Sequence, residues 1–324
     1  MRESLKLACG EFISARDALK GIFRMENDQM YPVCASMFIS AGRTPDEAGL
    51  RAARTLVRSS VGIFSSFRGT VEFPLVSMLA CSEDPYEKWE RTQAAYACLR
   101  ERFFASEYLA MAALLISDAE EDYYEIADRG KTLYRRMRSE HPFLTGSEDS
   151  VFALLLARSG RSNDELIADM EASYRILGTR FTKGEGLQSV THVLALDDAE
   201  PSEKSDRFTE IYDEIIRLGG KYGKDARLST LAALSLTGED PKKLAADIMD
   251  ADSFLAEQKG YRSIFGMDAR TRTMHAAMIV SSDVFPGNCL VNAAAGRAAV
   301  VMIAAQQAAM CAVMAGTAAA SSTH

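Results

Sequence analysis

The sequence predicts an all-α protein, an α-solenoid-like array of helical hairpins with a period near 40 residues. Glycine (21) and proline (8) are scarce among the 324 residues, which favours helices. Apolar segments recur along the chain, with starts separated by 36 to 44 residues. Amphipathic segments with apolar residues at every third or fourth position lie between them. These three observations together indicate repeated pairs of helices.

The apolar segments predict inner helices, because they lack a polar face that could meet water. Stacking against neighbouring pairs would bury the apolar faces that one pair cannot hide alone. A compact multi-helix domain whose hairpins merely resemble each other is the structural alternative. The six apolar segments are 73–79, 109–115, 151–157, 190–196, 230–236 and 274–280. A weaker seventh copy, 31–39, precedes them.

The amphipathic segments predict outer helices that each bury one face. Proline in the first helical turn marks several helix starts, since its missing N–H is not needed there. A polar residue suited to capping precedes most of these prolines. The amphipathic segments are 123–137, 167–177, 208–218 and 244–255, and the proline-marked starts are Thr44-Pro45, Asp84-Pro85, Glu200-Pro201 and Asp240-Pro241.

The end of the chain differs in composition, and we expect residues 1–286 to form the helical repeat domain and 287–324 a separate C-terminal helix and tail. Alanine occupies 14 of the 28 positions from 293 to 320. We expect this Ala-rich helix to close the array by packing on it. A membrane-associated helix, or a self-associating helix with small residues such as Ala312 and Gly316 at its contact, is the alternative.

The net charge and the cysteines of the chain bear on its binding partners and on its cellular compartment. Lys and Arg number 37 against 45 Asp and Glu, a net charge of −8 without a basic block, so we expect no nucleic-acid partner. Six scattered cysteines without a C-x-x-C pair predict reduced thiols in a cytoplasmic protein. The charged residues at 1–6 do not resemble a signal peptide.

Motifs for catalysis, metals and cofactors are nearly absent, so no cofactor is predicted and the question of enzymatic activity stays open. Gly184-Glu185-Gly186 is interpreted as a turn between helices. His192 and His275 fall on inner helices too far apart in the array to share a metal ion. The acidic runs 118–122 and 197–200 are interpreted as helix caps.

The loop between each outer and inner helix recurs as an aromatic residue followed by polar residues. In one interpretation the aromatics pack between helix pairs and the polar residues cap helices. In the other, charged side chains project from successive repeats into a shared groove, and mixed signs favour a protein or peptide partner. The copies are 64–69, 103–108, 143–149, 181–185, 222–227 and 265–270. The candidate binding residues are Arg68, Glu107, Asp149, Gln188, His192, Arg227 and Arg272.

We therefore hypothesise a non-enzymatic scaffold that binds a protein or peptide through its concave face or its loop edge. The alternative is a small-molecule-binding protein or enzyme with a site inside the array near Gln188 and His192. Membrane attachment through the C-terminal helix is a third hypothesis, which we do not favour.

Five segments resemble a bacterial family of about this length that is catalogued only as a domain of unknown function. The resemblance covers nearly the whole chain. It implies a bacterial, cytoplasmic protein and carries over no activity and no catalytic residue. The segments are Phe64-Ser65-Ser66-Phe67-Arg68-Gly69, Phe103-Phe104-Ala105-Ser106-Glu107-Tyr108-Leu109, His141-Pro142-Phe143-Leu144-Thr145, 188–196 and Gln306-Gln307-Ala308-Ala309-Met310.

Overall fold

The computed structural model describes residues 1–262 and 267–284. In these ranges it contains fourteen α-helices, one 3₁₀ turn and no strand, which confirms the predicted all-α class. The α-helices are α1 Glu3–Ile22, α2 Met30–Ser40, α3 Glu47–Ser60, α4 Glu72–Ala80, α5 Pro85–Arg100, α6 Glu107–Ile116, α7 Tyr123–Glu140, α8 Asp149–Leu156, α9 Asn163–Leu177, α10 Glu185–Leu194, α11 Pro201–Arg217, α12 Leu228–Ser235, α13 Pro241–Ala256 and α14 Ala269–Val284.

Each apolar segment of the sequence overlaps an even-numbered helix, and each of the four amphipathic segments overlaps an odd-numbered one. In α6, for example, every residue from Leu109 to Ile116 is buried, as expected for a helix without a polar face. In α7 the buried side chains are only those on one stripe, which includes Ile126, Leu133 and Met137. Burial thus explains why the two kinds of helix differ in composition.

Three of the four proline-marked starts coincide with the first residue of a helix. Asp84 accepts hydrogen bonds from the backbone N–H of Tyr86 and Glu87 at 2.9 and 3.0 Å, and Asp240 caps α13 by accepting from the N–H of Lys242 at 2.9 Å. The start at Thr44-Pro45 differs, because Asp46 is the capping residue and accepts from the N–H of Gly49 at 2.7 Å. Pro45 therefore lies before the helix.

The chain divides into two compact units. Unit 1 comprises Met1–Thr44 and the described residues from Asp169 onward, and unit 2 is Pro45–Ala168. The predicted boundary between 286 and 287, and the Ala-rich C-terminal helix, lie outside the described residues. None of the described helices is both long enough and apolar enough to cross a membrane.

Unit 2 contains α3 to α8, in which α3 packs on α4, α4 on α5, α5 on α6 and α7 on α8. Helices α5 and α7 are also in contact, as are α6 and α8. Helices α7 and α8 approach closely at Gly130, where an added Cβ atom would lie 2.7 Å from Cδ2 of Leu154. Glycine at this position therefore sets the distance between the two helices.

In unit 1 the first two helices of the chain pack on the last two described helices, α13 and α14. The guanidinium of Arg2 donates hydrogen bonds to the carboxylates of Asp247 and Asp283, and Oγ of Ser40 lies 2.8 Å from Oγ of Ser282. The first helix pair therefore adjoins the last described pair, an arrangement that the repeat pattern does not predict.

A fully buried lysine lies at the start of α11 in unit 1. Nζ of Lys204 donates to Oδ2 of Asp169 at 2.6 Å and to the backbone carbonyl of Asp197 at 2.9 Å. The side chain of Asp197 in turn accepts from the N–H of Ala199 at 2.9 Å. Asp197 thus orders the turn into α11, but Glu200 at the N-cap makes no side-chain capping hydrogen bond, in contrast to the helix cap interpreted from the sequence.

Candidate functional site

The most unusual surface of unit 2 carries three phenylalanines that are almost fully exposed. Phe64, Phe104 and Phe143 are 96%, 91% and 95% exposed. They lie in the loops that lead from α3 to α4, from α5 to α6 and from α7 to α8, at sequence separations of 40 and 39 residues. We call these three loops, with the residues that directly follow the first two of them (61–70, 101–107 and 141–148), the loop edge of unit 2.

The loops are held in place by other aromatic residues, which are buried. The ring of Phe67 packs edge-on against Trp89 with centroids 4.9 Å apart, and that of Phe103 packs against Tyr134 at 5.9 Å. In the third loop, the hydroxyl of Thr145 donates to the carbonyl of Met137 at 3.3 Å. The exposed phenylalanines are therefore presented by loops that the core already orders.

Arg68 and Glu107, two of the predicted binding residues, lie on the loop edge of unit 2. The hydroxyl of Thr70 donates to the carboxylate of Glu107, which links the first loop to the second. Gly69, between Arg68 and Thr70 in sequence, has a φ of +86°, a left-handed conformation that favours glycine. A Cβ at Gly69 would also lie 2.5 Å from Oε1 of Glu107. The two loops are thus in direct contact.

Arg68 forms an ion pair with the buried carboxylate of Glu72 at 2.8 Å. Arg54 and Arg58 of α3 pair with the same carboxylate at 2.6 and 2.7 Å. Burial acts to raise the pKa of Glu72, but the hydrogen bonds from Arg54 and Arg58 outweigh it and hold that pKa below its usual value. Three guanidinium groups therefore share one negative charge.

Asp149, the third predicted residue in unit 2, does not project from the loop edge. It is 3% exposed, and its Oδ2 accepts a hydrogen bond from the N–H of Gly146 at 2.9 Å. The side chain turns back onto its own loop because the N–H groups ahead of α8 need acceptors. Asp149 therefore stabilises the third loop of the edge.

In unit 1, Arg227 lies between two neighbouring loops. Its guanidinium donates to Asp225 and, at 2.9 Å, to the hydroxyl of Thr271, and it lies 3.7 Å from Asp268. Hydrogen bonding to Asp225 raises the pKa of Arg227. The loops before α12 and α14 are therefore joined by internal contacts of this arginine.

Arg272 in α14 forms a two-point ion pair with Asp252 of α13, at 3.0 and 2.8 Å. Asp252 is buried and also accepts from the hydroxyl of Thr273 at 2.9 Å. The hydrogen bond to Asp252 raises the pKa of Arg272. This geometry binds α14 to α13 and uses the arginine inside the fold.

Gln188 and His192 lie one turn apart on α10, and each is only 2% exposed. They belong to the interior of unit 1. The other histidine of the inner helices, His275, has its Nδ1 2.8 Å from the hydroxyl of Tyr261. Burial lowers the pKa of His275 to about 3, so its ring is neutral.

No group of three or more His, Cys, Asp or Glu side chains among the described residues could hold a metal ion. Gly184-Glu185-Gly186 forms the start of α10. A Cβ at Gly186 would lie 2.6 Å from the backbone of Asp225, so this glycine allows two loops of unit 1 to approach closely. That contact is a structural reason for the G-x-G pattern.

The exposed phenylalanines are the residues that the charged-residue argument missed. The sequence signal was available, because an aromatic residue recurs in the loops, but several loops contain two candidates. Phe103 is buried while its neighbour Phe104 is exposed, and Phe67 is buried while Phe64 is exposed. Composition alone does not distinguish the members of such pairs.

The described chain is thus an all-helical protein of paired helices, with an aromatic loop edge on unit 2. It belongs to the family described as "Protein of unknown function (DUF4003)", whose model matches residues 17–308. The resemblance to a bacterial family of unknown function is thereby confirmed.

A relative from Bacillus subtilis (strain 168), "Uncharacterized protein YeaA", is 26% identical over 310 residues. The alignment covers 93% of this chain and 92% of the relative. No solved structure matches the chain.

Proposed function

We propose that this protein is a scaffold that binds a segment of another protein through the loop edge of unit 2. The observation that carries the proposal is the exposure of Phe64, Phe104 and Phe143 in three loops of one unit. A phenylalanine that loses contact with water gains about 1.5–3 kcal/mol, so three such side chains offer a substantial driving force for association. Large exposed apolar side chains that cluster on a surface are typical of interaction sites.

Unit 1 contributes less to this proposal, because the two corresponding aromatics that the structure describes there face inward, while Phe265 lies outside the described residues. Phe181 and Tyr222 are buried, and the arginines Arg227 and Arg272 are engaged in internal ion pairs. Of the seven residues predicted from sequence, Arg68 and Glu107 are the two that lie on the proposed binding edge. The edge therefore differs in composition from the charged groove that we expected.

The alternative function is a small-molecule site around Gln188 and His192. Its support is the proximity of two polar side chains one turn apart on the buried helix α10. A ligand would have to reach side chains that are almost entirely removed from solvent. Thermal-shift measurements with metabolites on wild type and Gln188→Ala would test it, because a ligand bound at α10 would stabilise only the wild type.

The repeat unit and the domain boundary expected from the sequence are also part of this proposal. We propose that the helix pairs are copies of one unit of about 40 residues, and that 287–324 is a C-terminal segment distinct from 1–286. We also propose a cytoplasmic location. Cys9 and Cys98 are free thiols, which accords with a reducing compartment.

Site-specific photo-crosslinking in the living host tests the binding edge. A photoreactive phenylalanine analogue is placed at Phe64, Phe104 or Phe143 in turn, which changes little because these side chains are exposed. The matched control is the same analogue at Tyr86, an exposed aromatic at the first turn of α5.

We expect one discrete crosslinked product that is shared by the three edge positions and missing at Tyr86. Equal, diffuse crosslinking at all four positions, or none at the edge, would overturn the proposal.

A further inference from the structure

A stripe of three cations lies on α7, beside the second loop of the edge. Lys131, Arg135 and Arg138 are spaced i, i+4 and i+7, which places them on one face of the helix. Nζ of Lys131 lies 4.6 Å from the ring centre of Phe103, the buried neighbour of Phe104. We call these three residues the α7 stripe.

The α7 stripe has no neutralising partner. None of its three side chains forms an ion pair with a carboxylate of the described chain. Desolvation, then the nearby charges of Arg135 and Arg138, lower the pKa of Lys131, and no acidic group opposes them. Like charges this close repel each other, so an anionic partner would relieve the repulsion.

A second excess of positive charge lies at the first loop of the edge. There Arg54, Arg58 and Arg68 share the single carboxylate of Glu72, and Arg58 keeps 47% of its side chain exposed. A carboxylate has room for about four hydrogen bonds, whereas three guanidinium groups offer about fifteen N–H donors. Arg58 therefore retains donors that face solvent.

These cations stand out because unit 2 as a whole is acidic. Residues 45–168 contain 15 Lys and Arg against 20 Asp and Glu. Many of the acidic residues lie at the N-termini of the amphipathic helices, at the other end from the loop edge, as do the caps Asp84 and Asp122. The helices α5 and α7 thus begin with acidic residues and end with basic residues beside the exposed phenylalanines.

We propose that the loop edge of unit 2 binds an extended acidic segment of a partner protein. Apolar side chains of that segment would cover the exposed phenylalanines, and its carboxylates would pair with Arg58, Arg135 and Arg138. The inference rests on the proposed function and adds the chemistry of the partner.

The length of the segment follows from helix packing. Neighbouring helix pairs pack roughly 8–10 Å apart, so three loops span roughly 20 Å. An extended chain rises about 3.3 Å per residue, so about six residues reach across the edge. A peptide of 12 residues therefore suffices to occupy it.

A polypeptide fits this edge better than an anionic lipid surface does. Glu101 lies in the loop that carries Phe104, and Glu140 directly precedes the loop that carries Phe143. A uniformly negative membrane would repel these carboxylates and desolvate them, whereas a segment with patterned charges can avoid them. The mixed signs of the edge thus favour a protein ligand.

Selection from a random library of 12-residue peptides on the full-length protein tests the inference. We expect the enriched peptides to combine Asp or Glu with aromatic or large aliphatic residues. Their affinity, measured by fluorescence anisotropy, should fall at least tenfold in Arg135→Glu/Arg138→Glu and also in Phe104→Ser. Higher salt should weaken binding, because the ion pairs are exposed.

The matched control is Arg180→Glu/Arg217→Glu, which reverses two exposed charges of unit 1 and leaves the loop edge of unit 2 unchanged. It should change the affinity less than twofold. Circular dichroism and urea unfolding establish that every variant folds.

The remaining outcomes separate the two proposals. Enrichment of neutral or basic peptides, or affinity that the α7 variant leaves unchanged, would overturn the acidic partner while leaving the binding edge in place. Absence of any enriched peptide, together with absence of crosslinks at the edge, would overturn both. Sedimentation with phosphatidylglycerol vesicles that depends on Phe104, without peptide binding, would replace the protein partner with a membrane.

Discussion

Nη2 of Arg2 lies 2.8 Å from Oδ2 of Asp247 and 2.6 Å from Oδ2 of Asp283, so one guanidinium joins two carboxylates that are largely buried. Asp283 is 281 residues away in sequence. The bridge fastens the first helix of the chain to the last described helix, inside unit 1.

Replacement of Arg2 by alanine should destabilise unit 1, because it leaves Asp247 and Asp283 without their shared cation. We expect the free energy of unfolding to fall by about 1–3 kcal/mol, below the value for a fully buried pair since Arg2 is partly exposed. Urea unfolding measures the loss. Arg51→Ala, which breaks an exposed pair with Glu47, should cost about 0.5 kcal/mol or less. Equal losses in the two variants would contradict the role of the bridge.

The substitution Gly130→Ala tests the contact between α7 and α8. Alanine is favoured over glycine in a helix by about 1 kcal/mol, but here its Cβ would lie 2.7 Å from Leu154. We expect a net loss of about 1–3 kcal/mol from overpacking. Gly10→Ala in α1 is the control, since no heavy atom lies within 4 Å of its added Cβ. It should stabilise the protein by up to about 1 kcal/mol, and a gain in both variants would refute the close packing.

The neutral His275 predicts a loss of stability in mild acid. Its pKa is lowered from 6.5 to about 3 in the folded protein, so only the unfolded chain takes up its proton between these values. Stability should therefore fall as the pH drops below 6.5, by up to about 1.4 kcal/mol per pH unit. Urea unfolding at several pH values between 6.5 and 5 measures this effect. The free energy of unfolding of His275→Gln should fall less steeply with decreasing pH than that of wild type. Parallel slopes would show that this histidine does not contribute.

The positions of the helices were accessible from the sequence, because a buried helix and a half-buried helix need different residue patterns. The apolar segment at 109–115 had to be covered on all sides, and α6 is buried over its length. The proline start at Asp84 was equally clear, since its carboxylate caps α5. Such signals are local in the chain.

The roles of the site residues were less accessible, because they depend on partners distant in sequence. Arg272 looks like a free surface charge until Asp252, 20 residues away, is found beside it. Phe103 and Phe104 are chemically identical, and only the path of the backbone decides which ring is buried. Likewise, no repeat pattern indicates that α1 packs on α14.

Because unit 1 is assembled from the two ends of the described chain, the order of synthesis separates its parts in time. All of Pro45–Ala168 leaves the ribosome as one continuous piece, whereas α2 is finished long before α14. At a translation rate of about 5–20 residues per second, α14 is completed roughly 10–50 s after α2. Throughout that interval the faces of α1 and α2 that later meet α13 and α14 are uncovered on the nascent chain, and it is there that chaperones would be needed most.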